Sequence, residues 1–219
     1  MVGLHKSTAA GIINTLKAEH FLEQNERTGK LRLGLDLFTL AVNARLELND
    51  ICEPYLNALL ELTGETVNLA VLDKTEIVYI AKKESAHSIR ISTDVGTRMP
   101  VYCTAIGKSI LAAMDPAEAE NLIDSLDMSS FTERTVIDRM SLISALGIIR
   151  REGIAYDFEE LEYGLICIAA PLYYRKGNPV GAISVSGPSV RMDSRARAGI
   201  SEHLLRITDQ VCRELSRLS

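Results

Sequence analysis

No apolar run in the 219-residue sequence reaches the roughly 18 residues that a membrane-spanning helix needs. The opening segment, MVGLHKSTAAG, has no apolar core of signal-peptide type. The four cysteines, Cys52, Cys103, Cys167 and Cys212, are far apart and form no CxxC pair. That spacing argues against a disulfide frame or a zinc site. Reduced thiols, a cytoplasmic location and no metal or cofactor are expected. Internal repeats and low-complexity tracts are absent too, which leaves an ordinary globular chain.

What is present agrees: 47% hydrophobic and 24% charged residues suit a soluble protein with one substantial core, or one domain plus a small appendage. The net charge is −5, so the chain as a whole is no polyanion binder. The charge is unevenly placed. Residues 1–34 hold five Lys and Arg against three Glu, a net +2, so the remainder carries −7. A basic end on an acidic body fits a DNA-contacting appendage on a ligand-sensing domain. Chance imbalance is the plain alternative.

Apolar spacing predicts a helix over 7–22, with Ile12, Ile13, Leu16 and Phe21 toward a core, Ser7 or Thr8 as cap, and Lys6, Ser7, Asn14 and Lys17 on a polar face. EQNERTGKLRLG then reads as a small hairpin turning at Thr28-Gly29, with basic residues at and after its tip. Helix followed by basic hairpin is the second half of a winged helix-turn-helix. Two more helices are expected, Leu33–Leu48 as a linker and Asp50–Thr63, the latter capped by Asn49 or Asp50 and stopped by Gly64. From Thr66 the period becomes that of strands: TVNLAVL, EIVYIAK and SIRIST. Helices are expected from Ala105 to Met114 behind a Thr104 cap, from Asp115-Pro116 to Leu126, from Ser141 to Glu152, and from Asp193 to Leu218. Between the last two, an acidic stretch precedes two apolar runs, LICIAAPLYY and VGAISVSG, joined by a Lys176-Gly177-Asn178-Pro179 turn. Hairpins with interspersed helices give an α+β class on an antiparallel sheet.

KST at the first helix, ERTGKLRLG, GETVNLAVL, GTRMPVYCTAIGKSILA, FTERT, DFEELEYGLICIAAP and AISVSGP carry a resemblance to the IclR family of bacterial transcriptional regulators. It runs over nearly the whole chain. It implies a partial winged helix-turn-helix over 1–34, a linker helix over 35–49 and a GAF-like effector-binding domain over 50–219. Partners implied are double-stranded operator DNA, a small-molecule effector and a homodimer or homotetramer, with no membrane. Two departures stand out. The sequence starts at the turn before the recognition helix, so DNA binding is expected of a longer form. Gly11 stands where the family pattern often has a basic residue.

For DNA the candidates are Lys6, Ser7, Thr8, Asn14 and Lys17 on the helix, with Arg27, Lys30 and Arg32 at the wing. Cations neutralise phosphates, and Ser, Thr and Asn hydrogen-bond phosphates or base edges. For the effector the resemblance implies Thr104, Ala105 and Ile106 at a helix N-terminus, Asp157, Cys167, Ser184 and Ser186, with Ser88 and Ile89 on a lid side. Spacing adds that Ser184 and Ser186 point to one face of a strand. Helix amides, hydroxyls and a thiol suit a small carboxylate or similar oxygen-rich metabolite, with Asp157 accepting from a ligand hydroxyl. The bland alternative is small residues filling a tight sheet. Glu159, Glu160 and Glu162 read as loop charge. A regulator rather than an enzyme is expected. A small-molecule enzyme using Cys103 as a thiolate, or the carboxylates, is the alternative from another class, and a bare sensing domain without DNA binding is a further one.

Overall fold

The computed structural model describes residues 5–25, 27–89, 94–175 and 178–218; the side chains of residues 38–47, Arg175 and Leu218 fall outside that description. The chain divides into two units, Met1–Leu48 and Asn49–Ser219.

In the first unit, α1 (Lys6–Ala18) precedes a two-stranded hairpin of β1 (Leu22–Gln24) and β2 (Leu31–Leu33). The N-cap of α1 is His5, not Ser7 or Thr8, and no side chain caps it; His5 Nδ1 instead pairs with Ser7 Oγ at 2.9 Å. Asn25 Oδ1 shapes the hairpin tip by accepting from the amides of Arg27 and Thr28, and Gly29 supplies the left-handed residue at φ 68°.

The two helices expected between Leu33 and Thr63 form a single one, α2 (Leu35–Thr63). Leu48, Cys52, Leu56 and Leu59 are buried at helical spacing straight through Asn49 and Asp50. Packing of that stripe outweighs the capping preference of two polar residues. Pro54 lies inside the helix, where it leaves the carbonyl of Asp50 without its usual amide.

The second unit is built on a six-stranded antiparallel sheet in the order β5-β4-β3-β8-β7-β6. Its strands are β3 (Thr66–Asp73), β4 (Glu76–Lys83), β5 (Arg98–Pro100), β6 (Ala155–Phe158), β7 (Leu165–Arg175) and β8 (Asn178–Pro188). β6 is the edge strand that the acidic stretch concealed. Of the expected strand SIRIST, Ser88 and Ile89 lie in a bend, and positions 90–93 fall outside the described residues. The same holds for Lys176 and Gly177 of the expected turn.

Ala70, Ala155, Ala169 and Ala182 pack with α3 (Ala105–Ala113) and α5 (Arg139–Glu152) in one core. Strand alternation sends Ile168, Ile183 and Val185, all fully buried, to the other face. α6 (Ser194–Leu218) packs on β7 and meets α2, where Tyr55 Oη donates to Glu214 Oε2 at 2.8 Å. Asp115 caps α4 (Pro116–Asp124), and Asp138 caps α5 by accepting from Ser141 N at 2.7 Å.

Gly107 admits α3 close to the preceding chain: a Cβ there would overlap the Val101 carbonyl, whereas one at Gly199 in α6 meets nothing within 4 Å. Alanine at these two positions should therefore act with opposite sign. In urea denaturation, Gly107→Ala loses roughly 1–3 kcal/mol through overpacking. Gly199→Ala gains up to about 1 kcal/mol from helix propensity.

Candidate functional site

Cross-strand register assembles the site. Asp157 of β6 pairs with Cys167 of β7, Cys167 with Ser186 of β8, and Ser186 with Thr66 of β3. Two residues along, Ala155, Ala169, Ser184 and Asn68 form the parallel row. Because side chains alternate, both rows face the same side, toward the start of α3. There Thr104 caps the helix, accepting from Gly107 N at 3.1 Å. The first-turn amides of Ala105 and Ile106 have no acceptor within the helix.

Between the rows and the helix lies a cavity of about 340 Å³. Thr104, Ala105, Ile106, Asp157, Cys167, Ser184 and Ser186 line it, seven of the nine residues singled out for an effector. Ser88 and Ile89 are not in its lining. Ile89 is 71% exposed, and its carbonyl accepts from Arg191 Nη2 at 3.0 Å. Arg191 itself is held in a two-point ion pair by Glu65. Asn68, Tyr79 and Glu162 also line the cavity. For Asn68 the signal was its place in TVNLAVL, a buried polar residue amid apolar ones.

The acidic stretch is only partly solvated loop. Glu160 is 6% exposed and ion-pairs with Lys108 of α3, itself 4% exposed. Thr132 and Thr135 of FTERT hold this turn. Thr132 Oγ1 donates to Glu159 O and Thr135 Oγ1 to Glu160 O, each at 2.6 Å. Arg134 pairs with Glu159, which sits at φ 62°. Lys108 was legible as the one charged residue in a helix that is otherwise small or apolar and almost wholly buried.

Asp157 Oδ1 accepts from Glu160 N at 2.7 Å, while Asp157 Oδ2 and Glu160 Oε2 are buried with no partner among the described residues. Burial, and then the nearby Glu160 carboxylate, push the Asp157 carboxyl up to about 7, against the amide bond from Glu160 and the Lys108 cation. Burial also pushes the Cys103 thiol up to about 12, and the Cys167 thiol and Tyr79 phenol upward. Cys103 is therefore kept as a thiol at neutral pH, the opposite of an activated nucleophile. Among the described residues, no group of three or more His, Cys, Asp and Glu is placed to hold a metal ion.

A larger cavity of about 480 Å³ lies toward the C-terminal end of α3, lined by Ala112, Met114, Ile149, Arg150 and Tyr173 among others. Arg150 Nε there already donates to Ala112 O at 2.9 Å. Neither unpartnered carboxylate oxygen belongs to its lining. The smaller cavity is the stronger candidate, since it alone of the two has an unsatisfied buried acceptor beside it.

In the first unit Lys6, Ser7, Asn14 and Lys17 fall within an arc of about 100° on α1 at 100° per residue, and Thr8 lies about 100° outside it. Lys17 Nζ donates to Gln24 Oε1 at 2.6 Å, and Arg32 pairs with Glu23. Arg27 and Lys30 are exposed at the hairpin tip.

Residues 40–213 match the family model for the C-terminal domain of IclR bacterial transcriptional regulators. The chain is 34% identical to the transcriptional regulator XynR of Escherichia coli over 93% of its own length and 82% of that protein. The crystal structure of the Thermotoga maritima IclR is similar with a TM-score of 0.79 at 28% identity, covering 97% of this chain and 86% of that one. A homolog from Microbacterium hydrocarbonoxydans, complexed with 4-hydroxybenzoate, shares the fold with a TM-score of 0.83 at 24% identity, over 99% and 88% of the two chains.

Two outcomes are expected of the site's charges. The unfolded Asp157 carboxyl ionises near 3.8 and the folded one near 7, so between those pH values the folded state holds more protons and loses stability as pH rises. Asp157→Asn does not ionise. Its stability relative to wild type should climb from about pH 4 to about pH 8, by up to roughly 4 kcal/mol; paired thermal melts at the two pH values check this. Lys108→Ala strands Glu160 and should cost about 3–5 kcal/mol, whereas Lys108→Met with Glu160→Gln should lose less in the same melts.

Proposed function

Because the chain belongs to the IclR family of bacterial transcriptional regulators, we propose that a small carboxylate or similarly oxygen-rich metabolite binds in the 340 Å³ cavity and modulates operator binding. One observation carries the reading: the amide end of α3, two serine hydroxyls, a thiol and an unpartnered carboxyl converge on one enclosed space. The helix end and hydroxyls receive the ligand's anionic oxygens. Asp157 Oδ2 shares a hydrogen bond with a ligand hydroxyl. The 4-hydroxybenzoate held by the Microbacterium homolog combines those two features. We read the chain as a regulator, not an enzyme, because Cys103 is held as a thiol and its relatives are named as regulators. A cytoplasmic location is supported by four free cysteines.

For the operator, α1 would enter the major groove with Lys6, Ser7, Asn14 and Lys17, while Arg27, Lys30 and Arg32 track phosphates from the hairpin. Thr8 joins them only from the flank. A homodimer would present two such heads and a homotetramer four. α2 offers a covalent route between sensing and binding, since it starts in the first unit and ends in the second.

Titration calorimetry with a panel of short carboxylic acids and 4-hydroxybenzoate tests the pocket. A hit should lose at least about tenfold in affinity, roughly 1.4 kcal/mol, in Ser184→Ala with Ser186→Ala; undiminished affinity would sink the assignment. On operator DNA, Lys6→Ala with Lys30→Ala should weaken binding across sequences and lower the slope of log affinity against log salt by about two.

A further inference from the structure

We propose that the cavity takes up its anionic effector together with one proton, which settles on Asp157 Oδ2, so that effector affinity falls as pH rises. The inference rests on the reading of the cavity as a carboxylate site. Asp157 is 1% exposed and lines the cavity, and its Oδ2 has no partner among the described residues. Oδ1 is already committed to the Glu160 amide. An anion entering this space places a like charge beside a buried carboxylate, with little solvent between to screen it. Protonation removes the repulsion and turns Oδ2 into a donor toward a ligand oxygen. The proton comes from solvent and returns to it when the ligand leaves.

The surrounding groups leave Asp157 as the one to titrate. From β4, Tyr79 stays a phenol; from the approach to α3 and from β7, Cys103 and Cys167 stay thiols, all three raised by burial. From α3, Lys108 is matched by Glu160 of the turn after β6. Glu162 of the same turn lines the cavity but is solvent-exposed and adds negative charge. From β8 and β3 come only neutral groups, Ser184, Ser186 and Asn68. The Asp157 carboxyl, held at about 7, is thus half-protonated near neutral pH before any ligand arrives.

The test is calorimetry on the full chain with glycolate, lactate and 4-hydroxybenzoate, each run in buffers of differing ionisation enthalpy. The dissociation constant should be flat below about pH 6 and rise by up to tenfold per pH unit above about pH 7.5. Proton uptake should approach one per ligand at about pH 8.5 and fall toward zero at about pH 5.5. Asp157→Asn, which cannot take up the proton, should abolish both the slope and the uptake in whatever binding remains. Binding with a constant Kd and no proton exchange overturns the inference and leaves the pocket reading standing. A slope that survives Asp157→Asn also overturns it, by moving the proton elsewhere. If none of the three acids binds, the carboxylate reading falls and takes the inference with it.

Discussion

The ion pair between Lys108 and Glu160 holds the second unit's site in shape. It joins the first helix over the sheet to the turn leaving the edge strand, and both partners are almost wholly buried. Two charges out of water persist only when each has the other, so the turn cannot drift from the helix without leaving a charge stranded. The turn therefore holds the end of β6, and with it Asp157, at a set distance from the start of α3. The two threonines of FTERT fasten the same turn from the far side through its carbonyls. Helix, turn and sheet thereby enclose the cavity.

The arrangement leaves one negative charge in excess. Asp157 and Glu160 stand near one lysine, Lys108, and each has a buried oxygen without a partner among the described residues. Buried acceptors without donors are uncommon in native folds. Where one occurs beside an enclosed cavity, the missing donor has an evident place to arrive. The neutral thiols and phenol around it keep the local field simple, with Asp157 as the group whose state changes near neutrality.

Most of the second unit could be read from residues. Thr104 and Asp115 mark helix starts by side-chain capping and Gly153 a helix end by its left-handed backbone, all local effects, and the structure puts helix boundaries beside all three. Ser184 and Ser186 share a face because strands alternate, whatever the tertiary context. What escaped depends on partners distant in sequence. Glu160 reads as solvated until Lys108, 52 residues earlier, is seen to meet it. The β6 edge strand hides in the acidic stretch because its own carboxylate, Asp157, faces a cavity and Glu160 of the following turn meets an internal cation. The break expected at Asn49 and Asp50 vanished because the buried stripe of α2 runs through it. Ser88 and Ile89 sit outside the cavity lining, and nothing local in SAHSIRIST could signal whether that segment turns toward it.

The row Asp157, Cys167, Ser186 and Thr66 is fixed by main-chain pairing across four strands, and pairing does not depend on what the side chains are. Gene duplicates can thus exchange residues along it while the scaffold stays silent to the change. Each exchange alters the chemical vocabulary the cavity understands, one hydroxyl or thiol at a time. On the proposed reading of the cavity, a lineage of regulators can in this way acquire new effectors by drift at a handful of codons, with no need to reinvent the apparatus that answers them.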